Sequence, residues 1–378
     1  MQWSPDSLLV MCGMFQRSVV QIWLIANADW TCKIDEGSIG LLSCCWSPDS
    51  RHILTTSNFH LRISVWSLVT KSVLYIKNPK PNVNFVFTST GDLLVLPERV
   101  DTKDYICIFD CSVWKLCKRF MVETHDLAGL SLSPNGRTIC IWDSLFYHKA
   151  LLYSTDGNHL ATYMVSESTL GIRCTAWSPS NQFLAIGRCD QSFVILNTVS
   201  WKSLSHCEHP LMISAGPAVY AEVPDGQPLG MTHASAPTRY QVATSPFSVP
   251  TLQLDPDKPA VKCGVGILAF SPDGRYLATV NGNMPTAVWI WTVPTFHLCA
   301  VLVQLQPVGA VGWDPVHSRL AVCTQGDKLY VWSSAGCVSI SVPRNLGAIA
   351  ESLVWHPAGT SVALIDGSQF CVCYLCDM

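Results

Sequence analysis

The sequence predicts an all-β protein, a β-propeller of about eight four-stranded blades. Two repeating features indicate this fold: a turn motif that recurs along the whole chain, and a bulky apolar residue at a nearly constant distance after each copy. The composition agrees with a folded chain, because 49% of the 378 residues are hydrophobic and only 13% are charged, about half the usual charged fraction. Such a composition excludes a wholly disordered protein.

The first feature is an apolar anchor followed by a turn of the Ser-Pro-Asp-Gly type. The anchors are Trp3, Trp46, Phe87, Leu132, Trp177, Phe270, Trp313 and Trp355, at intervals of 43, 41, 45, 45, 93, 43 and 42 residues. In the turn, proline fixes φ at the first corner, Asp or Asn bonds its own backbone, and glycine supplies a positive φ. The period is too long for a leucine-rich or ankyrin repeat and matches a four-stranded propeller blade.

The second feature is a β-rich run that ends in a bulky residue 19 to 22 positions after each anchor. These residues are Trp23, Trp66, Phe109, Tyr153, Leu196, Trp291, Trp332 and Tyr374. We interpret the aromatic residues of both sets, the anchors and these strand ends, as core packing between neighbouring blades, because large aromatic side chains supply most of the apolar area in such interfaces.

The 93-residue interval contains about 50 residues more than one period. Residues 205–262 hold nine of the 23 prolines, and central strands exclude proline because every N–H joins the ladder. We interpret this segment as an irregular insertion, with blades 1–5 in residues 1–204 and blades 6–8 in residues 263–378. In the alternative, the insertion is a cryptic blade with strands at 218–221 and 240–243.

The two ends of the chain predict an incomplete propeller. Only two residues precede Trp3, so we expect the first blade to lack its inner strand. The last blade stops after its third strand and should lack its outer one. Such open edges would favour aggregation. Residues 1–6 have neither a basic region nor an apolar core, so we also expect no signal peptide.

Composition and motifs argue against several classes of function. The net charge of −3 does not suit a general nucleic-acid or membrane-surface binder, and no apolar run approaches a membrane span. A nucleophile elbow, a phosphate loop and a His-Glu-x-x-His helix are all absent. We therefore expect a soluble, cytoplasmic protein without catalytic activity or a cofactor.

The 18 cysteines are predicted to be reduced core residues, since no secretory signal precedes them. Two patterns bear an incomplete likeness to metal sites: Cys371-x-Cys373-x-x-Cys376, and the group His206, Cys207 and His209. The first lacks a second pair of ligands and alternates like a strand, and the second lies in the predicted insertion. We predict no metal at either.

The anchors and turns resemble those of the WD-repeat family. In that family an Asp before the third strand joins a hydrogen-bond network with His, Ser and Trp. Asp104, Asp190 and Asp327 stand in matching places, but the Gly-His that should precede the inner strand is missing. We therefore expect the network not to form and the blades to rely on apolar burial.

Longer runs, residues 32–38, 46–54, 59–68 and 267–273, resemble a narrower group, the WD repeat-containing protein 8 family. The resemblance implies a non-catalytic scaffold at the centrosome, centriolar satellites and spindle pole. It would act with a coiled-coil adaptor, and with a minus-end-directed kinesin, in microtubule minus-end anchoring, spindle organisation and cilium assembly. The alternative is a substrate receptor of a cullin-type ubiquitin ligase, although no Trp-Asp-x-Arg motif follows a third strand.

Loops on a rigid scaffold are the usual binding elements of a propeller. The candidate contacts are the aromatic, His and Arg residues predicted between second and third strands: Phe15, Phe59, His60, Arg99, Tyr147 and His148. Ser245 precedes Pro246 outside any repeat, in a segment predicted to be unstructured, and is a candidate phosphorylation site for a proline-directed kinase. The alternative is an unmodified flexible loop.

Overall fold

A computed structural model describes residues 1–165, 170–214, 216–224, 238–252, 263–326, 328–342, 352–365 and 370–375. They divide into two compact units, unit 1 (Met1–Met164) and unit 2 (Val165–Met378). The described helices are three 3₁₀ helices of three residues each, Phe15–Arg17, Gly37–Ile39 and Asn58–His60. None of them is long enough to cross a membrane.

Unit 1 consists of four antiparallel sheets, each with four strands in chain order. The first two sheets comprise β1 (Gln2–Trp3), β2 (Leu9–Met14), β3 (Val19–Leu24), β4 (Asn27–Asp35), β5 (Ser43–Trp46), β6 (His52–Thr56), β7 (Arg62–Ser67) and β8 (Val73–Lys77). The third and fourth comprise β9 (Val86–Phe87), β10 (Leu93–Val100), β11 (Lys103–Asp110), β12 (Lys115–Met121), β13 (Leu127–Leu132), β14 (Thr138–Asp143), β15 (Lys149–Ser154) and β16 (His159–Met164).

Unit 2 contributes four more blades. The fifth sheet is β17 (Ile172–Trp177), β18 (Phe183–Arg188), β19 (Ser192–Asn197) and β20 (Ser203–Glu208). Along the chain, the next strands are β21 (Met212–Ile213), β22 (Ala218–Pro224), β23 (Thr238–Val242) and β24 (Phe247–Ser248). The sixth blade contains β25 (Val265–Phe270), β26 (Tyr276–Asn281), β27 (Ala287–Thr292) and β28 (Leu298–Val303). The seventh contains β29 (Val308–Trp313), β30 (Leu320–Thr324), β31 (Lys328–Ser333) and β32 (Gly336–Ser341). The eighth contains β33 (Ser352–Trp355), β34 (Ser361–Ile365) and β35 (Phe370–Tyr374). The predicted all-β propeller of eight blades is confirmed.

The turn motif builds the hairpin between the first and second strands of a blade. In the sixth blade, buried Ser271 donates to Asp273 Oδ1 at 2.5 Å and accepts from the Tyr276 N–H at 2.9 Å. Gly274 has a φ of +70°, which an L side chain adopts only with strain. The turn at Ser4 and Asp6 repeats the same pair of bonds. Recurrence of the motif therefore reflects a local hydrogen-bonded structure.

The hydrophobic core lies between neighbouring sheets. Leu54 and Val65 of the second sheet pack with Leu94 and Phe109 of the third, and comparable clusters join the first sheet to the second and the third to the fourth. In unit 2 such clusters lie between the fifth and sixth, sixth and seventh, and seventh and eighth sheets. Burial of apolar area at about 25 cal/mol per Å² makes these layers the main stabilising contribution.

Most of the predicted aromatic core residues are buried or half-buried, but three are not. Trp3, Trp23 and Tyr374 are exposed, whereas Trp291 and Trp332 are buried. The three exposed residues belong to the first and last sheets, each of which has a packed neighbour on only one side within its own unit. For these three positions, the expectation of core packing is wrong.

The first blade differs from the expectation that its inner strand is missing. Gln2 and Trp3 pair with Met11 and Val10, so the inner strand of the first blade is present as a two-residue strand instead of missing. The last sheet has three described strands, β33, β34 and β35.

The proline-rich segment adds strands to an existing blade. β22 pairs in parallel with β28 from Ala218 to Ala221, and β23 pairs with β22, which makes the sixth sheet six-stranded. The short segments of the cryptic-blade alternative are thus strands, but they do not form a sheet of their own. Pro217 and Pro224 lie at the ends of β22 and Pro246 precedes β24, positions where few ladder N–H groups are needed.

Buried Glu222 fastens this addition to the seventh blade. Its carboxylate accepts from the Tyr330 hydroxyl at 2.9 Å, the Leu305 N–H at 3.0 Å and the Lys328 ammonium at 3.3 Å. Three donors on one buried carboxylate offset the cost of its desolvation. The predicted boundaries between the blades and this proline-rich segment, at residues 205 and 262, stay a prediction.

Candidate functional site

The candidate site is one edge of unit 1, which we call the loop edge. It consists of the turns between the second and third strands of the four sheets, together with the segments that lead into their first strands. All six predicted contact residues belong to unit 1 and lie in or beside these turns. The structure places them in three different environments.

Three of the six are exposed aromatic residues. Phe15 lies in the 3₁₀ helix of the first blade, and Tyr147 in the turn of the fourth. Phe59, in the second blade, is 87% exposed and has a φ of +59°. Left-handed backbone at a bulky residue is uncommon and strained. The turn is closed by Ser57 and Arg62, which exchange hydrogen bonds of 3.0 Å between the serine hydroxyl and the arginine backbone.

His60 and His148 are half-buried and therefore offer less contact area. Arg99 is also half-buried, at the end of β10, and is engaged in ion pairs. Its Nη1 lies 2.7 Å from Asp126 Oδ1 and 3.5 Å from Asp104 Oδ1. The predicted arginine contact is therefore part of a charge cluster.

The centre of this cluster is Lys80, whose side chain is only 4% exposed. Its Nζ donates to Asp104 Oδ1 at 3.1 Å and to Asp126 Oδ1 at 2.7 Å. Asp104 is fully buried and also accepts from Thr124 Oγ1 and the Leu127 N–H, both at 2.9 Å. A buried ammonium persists only when paired in this way.

Three residues of the cluster, Lys80, Arg99 and Asp126, line a cavity of about 350 Å³, which we call the third-blade cleft. Its lining residues are Lys80, Pro81, Asn82, Val83, Arg99, Asp126, Leu127 and Ala128. Hydrogen bonds and charge from Lys80 and then Arg99 lower the pKa of Asp126, against the opposing effect of burial. Asp126 is therefore ionised near neutral pH, and its carboxylate bridges two cations.

His125 connects the cleft to an exposed aromatic residue. The His125 carbonyl accepts from Arg99 Nη2 at 3.3 Å, and its ring stacks on Tyr147 with centroids 4.5 Å apart. Two predicted contacts that lie 48 positions apart in the sequence are thus brought to one place. Phe15 and Phe59 lie in the first and second blades.

A second polar cluster lies in the second blade. Trp66 Nε1 donates to Thr55 Oγ1 at 3.0 Å and to Glu36 Oε1 at 2.9 Å, and the Thr55 hydroxyl also donates to Glu36. Arg62 Nη2 donates to Glu36 Oε2 at 3.2 Å. Burial alone would raise the pKa of Glu36, but the hydrogen bonds outweigh it and the pKa is lowered. We call this the Glu36 network.

A related cluster in the sixth blade, the His209 network, corrects part of the expectation that no such network forms, because a His, a hydroxyl and a Trp meet there with a backbone carbonyl in the place of the family's Asp. Trp291 Nε1 donates to Thr279 Oγ1 at 3.0 Å, and the Thr279 hydroxyl lies 2.8 Å from His209 Nε2. His209 Nδ1 lies 2.7 Å from the Gln191 carbonyl. Burial lowers the pKa of His209 to about 4, so the ring is neutral. It donates from Nδ1 and accepts at Nε2.

The Glu36 network, the His209 network and the Lys80 cluster follow one plan, in which a residue before a blade's first strand bonds groups of its later strands. None of the three was predicted, because the family pattern places a Gly-His pair next to the inner strand and this chain has none there. His209 is separated from β25 by the proline-rich segment, and in the third blade Lys80 takes the histidine's place beside Asp104. A search for any polar partner of Asp104 before the strand would have found Lys80.

The described residues of the histidine pattern lie in different environments. His206 is exposed beside Glu208, whereas Cys207 is buried and His209 is held by Thr279. Within the described ranges, no three His, Cys, Asp or Glu side chains are arranged to hold an ion. The 17 cysteines that the structure describes are free thiols. Cys376 lies outside the described residues, as does Asp327.

Comparisons with known proteins bear on this geometry. The family model for the WD domain, G-beta repeat, matches residues 30–67, which contain the Glu36 network. The chain is 46% identical over 389 residues to WD repeat-containing protein WRAP73 of Mus musculus, and the match covers 99% of this chain and 84% of the relative. The chain belongs to the WD-repeat family.

More distant likenesses agree with the WD-repeat fold. An uncharacterised WD repeat-containing protein of Schizosaccharomyces pombe is 24% identical over 91% of this chain and 72% of its own length. The C-terminal WD40 domain of Sif2 superposes with a TM-score of 0.60 at 12% identity, over 99% of this chain and 95% of that one. A chain of the mitotic checkpoint complex gives 0.51 at 13% identity, over 86% and 84%.

WD-repeat propellers are typically non-catalytic scaffolds for protein interaction, and membership of the family supports a protein-interaction scaffold here. The mouse relative is named WRAP73, and no relative above bears the name of the WD repeat-containing protein 8 family. That narrower resemblance therefore supports only a proposal.

Proposed function

We propose that this WD-repeat protein is a non-catalytic scaffold of the centrosome and spindle pole, and that it binds partner proteins through the loop edge of unit 1. The observation that supports this best is the third-blade cleft, a polar cavity beside the exposed ring of Tyr147. Aromatic and arginine side chains around a pocket are the usual anchors of protein interfaces. Phe15 and Phe59 extend the proposed surface to the first two blades.

The centrosomal role rests on the runs that resemble the WD repeat-containing protein 8 family. Its proposed partners are a coiled-coil adaptor and a minus-end-directed kinesin, and its proposed processes are minus-end anchoring, spindle organisation and cilium assembly. The runs at residues 46–54 and 59–68 include Phe59 itself and the whole of β7.

Affinity purification from dividing cells tests both parts. The full chain should recover a coiled-coil centrosomal protein, and Phe59→Asn should recover at least about tenfold less, since interface anchors cost 2 kcal/mol or more when truncated. Asparagine tolerates the left-handed backbone at this position. The matched control is Val69→Asn, which removes an exposed apolar side chain at the opposite end of the same blade.

Two results would contradict the proposal. Recovery of cullin-ligase subunits without a centrosomal protein would favour the substrate-receptor function. Equal losses from Phe59→Asn and Val69→Asn would show that the loop edge is not the binding surface.

We also propose Ser245 as a phosphorylation site. It is exposed, in a bend between β23 and β24, and not in the unstructured loop that the composition predicted. A phosphate there would add nearly two negative charges to an exposed turn. Phosphopeptide mapping of mitotic material should find the modification, and a fully covered but unmodified peptide would remove this proposal.

A further inference from the structure

The third-blade cleft has the construction of a carboxylate-binding site that one of its own residues occupies. Four charged side chains meet there, Lys80, Arg99, Asp104 and Asp126, and their formal charges cancel. They differ in burial: Asp104 and Lys80 are 0% and 4% exposed at their side chains, Arg99 is 31% exposed, and Asp126 is 54% exposed. The exposed member is thus a carboxylate.

The two cations do not depend on Asp126 for their positions. Asp104 lies within 3.1 Å of Lys80 Nζ and 3.5 Å of Arg99 Nη1, and is itself held by Thr124 and the Leu127 N–H. Arg99 Nη2 also donates to the His125 carbonyl. Removal of the Asp126 carboxylate would leave two positioned cations against one buried anion.

The backbone of Asp126 is held separately from its side chain. Buried Asp143 accepts from the N–H groups of His125 and Asp126, at 2.9 Å and 2.6 Å. Rotation of the Asp126 side chain toward solvent therefore requires no movement of the chain. The rotation would leave Lys80 largely shielded from water, a condition that favours another anion in the same place.

We propose that the third-blade cleft binds an Asp or Glu side chain of a partner protein, and that Asp126 fills the site until the partner displaces it. The ligand is a carboxylate because a carboxylate of this chain already bridges Lys80 and Arg99 at 2.7 Å each. Val83, Leu127 and Ala128 supply apolar walls for the methylene groups of the incoming side chain. This inference rests on the proposed scaffold function and adds the chemistry of the partner.

The test measures fluorescence polarisation of a labelled peptide in which glutamates alternate with glycine and serine, titrated with the purified full chain. Asp126→Ala should bind this peptide about tenfold more tightly than the unmodified chain, because a competing charge-assisted contact is removed. Arg99→Gln in the Asp126→Ala background should reverse that gain. The same peptide with glutamine in place of glutamate should bind neither form measurably.

Arg119→Gln in the Asp126→Ala background is the matched control. It also removes an arginine from the third blade, but Arg119 pairs with Glu98 at 2.7 Å and does not line the cleft. It should leave the gain unchanged. Asp126→Asn, which keeps the size of the side chain, replaces Asp126→Ala if that variant melts at a lower temperature than the unmodified chain.

Several outcomes would overturn the proposal. They are an unchanged peptide affinity in both Asp126 variants, and equal affinity for the glutamate and glutamine peptides. Equal losses of affinity from Arg99→Gln and Arg119→Gln would also overturn it, as would binding only of a peptide that carries phosphoserine in place of glutamate. Because this assay uses a purified chain and a synthetic peptide, its failure would leave the affinity-purification result for Phe59 standing. The two proposals therefore fail separately.

Discussion

The second and sixth blades each hold a tryptophan indole against a threonine hydroxyl, but they differ in the group that accepts from that hydroxyl. In the second blade the acceptor is the carboxylate of Glu36, which also meets Arg62. In the sixth it is the neutral ring of His209, whose other nitrogen bonds a backbone carbonyl. The position therefore requires an acceptor aimed at threonine, and both a carboxylate and an imidazole meet that requirement.

The choice of acceptor determines what else the blade must supply. A buried carboxylate needs a cation and several donors, because its desolvation is costly, and Arg62, Thr55 and Trp66 provide them. A neutral imidazole needs only one donor and one acceptor. It also fills space, since the His209 ring contacts those of Phe193, Trp289 and Trp291.

The largest effect should come from His209→Ala. It removes a ring packed among three aromatic residues and leaves Thr279 and the Gln191 carbonyl without their partner, at a cost of about 4 kcal/mol in the free energy of unfolding. Denaturant unfolding measures this loss. His206→Ala, at an exposed neighbour, should cost less than about 0.5 kcal/mol. Similar small losses at both positions would mean that the network does not stabilise the blade.

Glu36→Ala should be the next most destabilising change, at about 3 kcal/mol, because it leaves Trp66, Thr55 and Arg62 without their shared acceptor. Glu36→Gln keeps an acceptor oxygen but loses the ion pair, and should cost about half as much. Denaturant unfolding of the two variants separates hydrogen bonding from charge. An equal loss from both would assign the stabilisation to charge alone.

The two networks should respond to different ranges of pH. The pKa of His209 falls from 6.5 to about 4 on folding, so the unfolded chain binds more protons between those values. The contribution of His209 to the free energy of unfolding is complete above pH 6.5. It decreases by up to about 1.4 kcal/mol per pH unit as the pH falls toward 4. The pKa of Glu36 is lowered below 4.5, so its contribution persists above 4.5 and is lost as the pH falls through its folded value.

Unfolding measured from pH 7 to pH 4 checks this difference. The unmodified chain should lose about 2 to 3 kcal/mol more over that range than His209→Gln, which has no ring to protonate. Glu36→Gln should keep the His209-dependent loss between pH 6.5 and 4.5. The same slope in the unmodified chain and in His209→Gln would assign the pH dependence to other groups.

The smallest effects should come from the threonines. Thr279→Val should cost about 2 kcal/mol, because the hydroxyl is the link between the Trp291 indole and His209. Thr55→Val should cost about 1 kcal/mol, because Trp66 also donates directly to Glu36. Denaturant unfolding of the two variants gives the ratio of their losses in free energy of unfolding. A larger loss for Thr55→Val than for Thr279→Val would contradict this difference between the two blades.

Much of the fold was predictable because it depends on local interactions. The Ser-Pro-Asp-Gly turn closes through bonds between residues two and five positions apart, as at Ser271, so its recurrence marks each hairpin in the sequence. The predicted strand Phe370–Tyr374 is present for the same reason, since alternation of side chains is a property of the strand itself. The exposed positions of Phe15, Phe59 and Tyr147 also follow from their places in turns.

The candidate site was only partly predictable. Arg99 was selected as an exposed contact, whereas the structure engages it with Asp126, and neither Lys80 nor Asp126 stands in a recognisable motif. The proline count of residues 205–262 argued against central strands, yet β22 joins the free edge of the sixth blade, where prolines at the strand ends are tolerated.

The sequence by itself determined the number of blades, their hairpins and the apolar layers between them, because turn chemistry and strand alternation act over a few residues. Only the tertiary structure decided which polar groups meet. Lys80 and Asp126 are 46 positions apart, His209 and Thr279 are 70, and Glu222 and Tyr330 are 108. Hydrogen bonds and ion pairs form only where donor and acceptor are placed to within a few tenths of an ångström, and packing of one sheet against the next sets that placement.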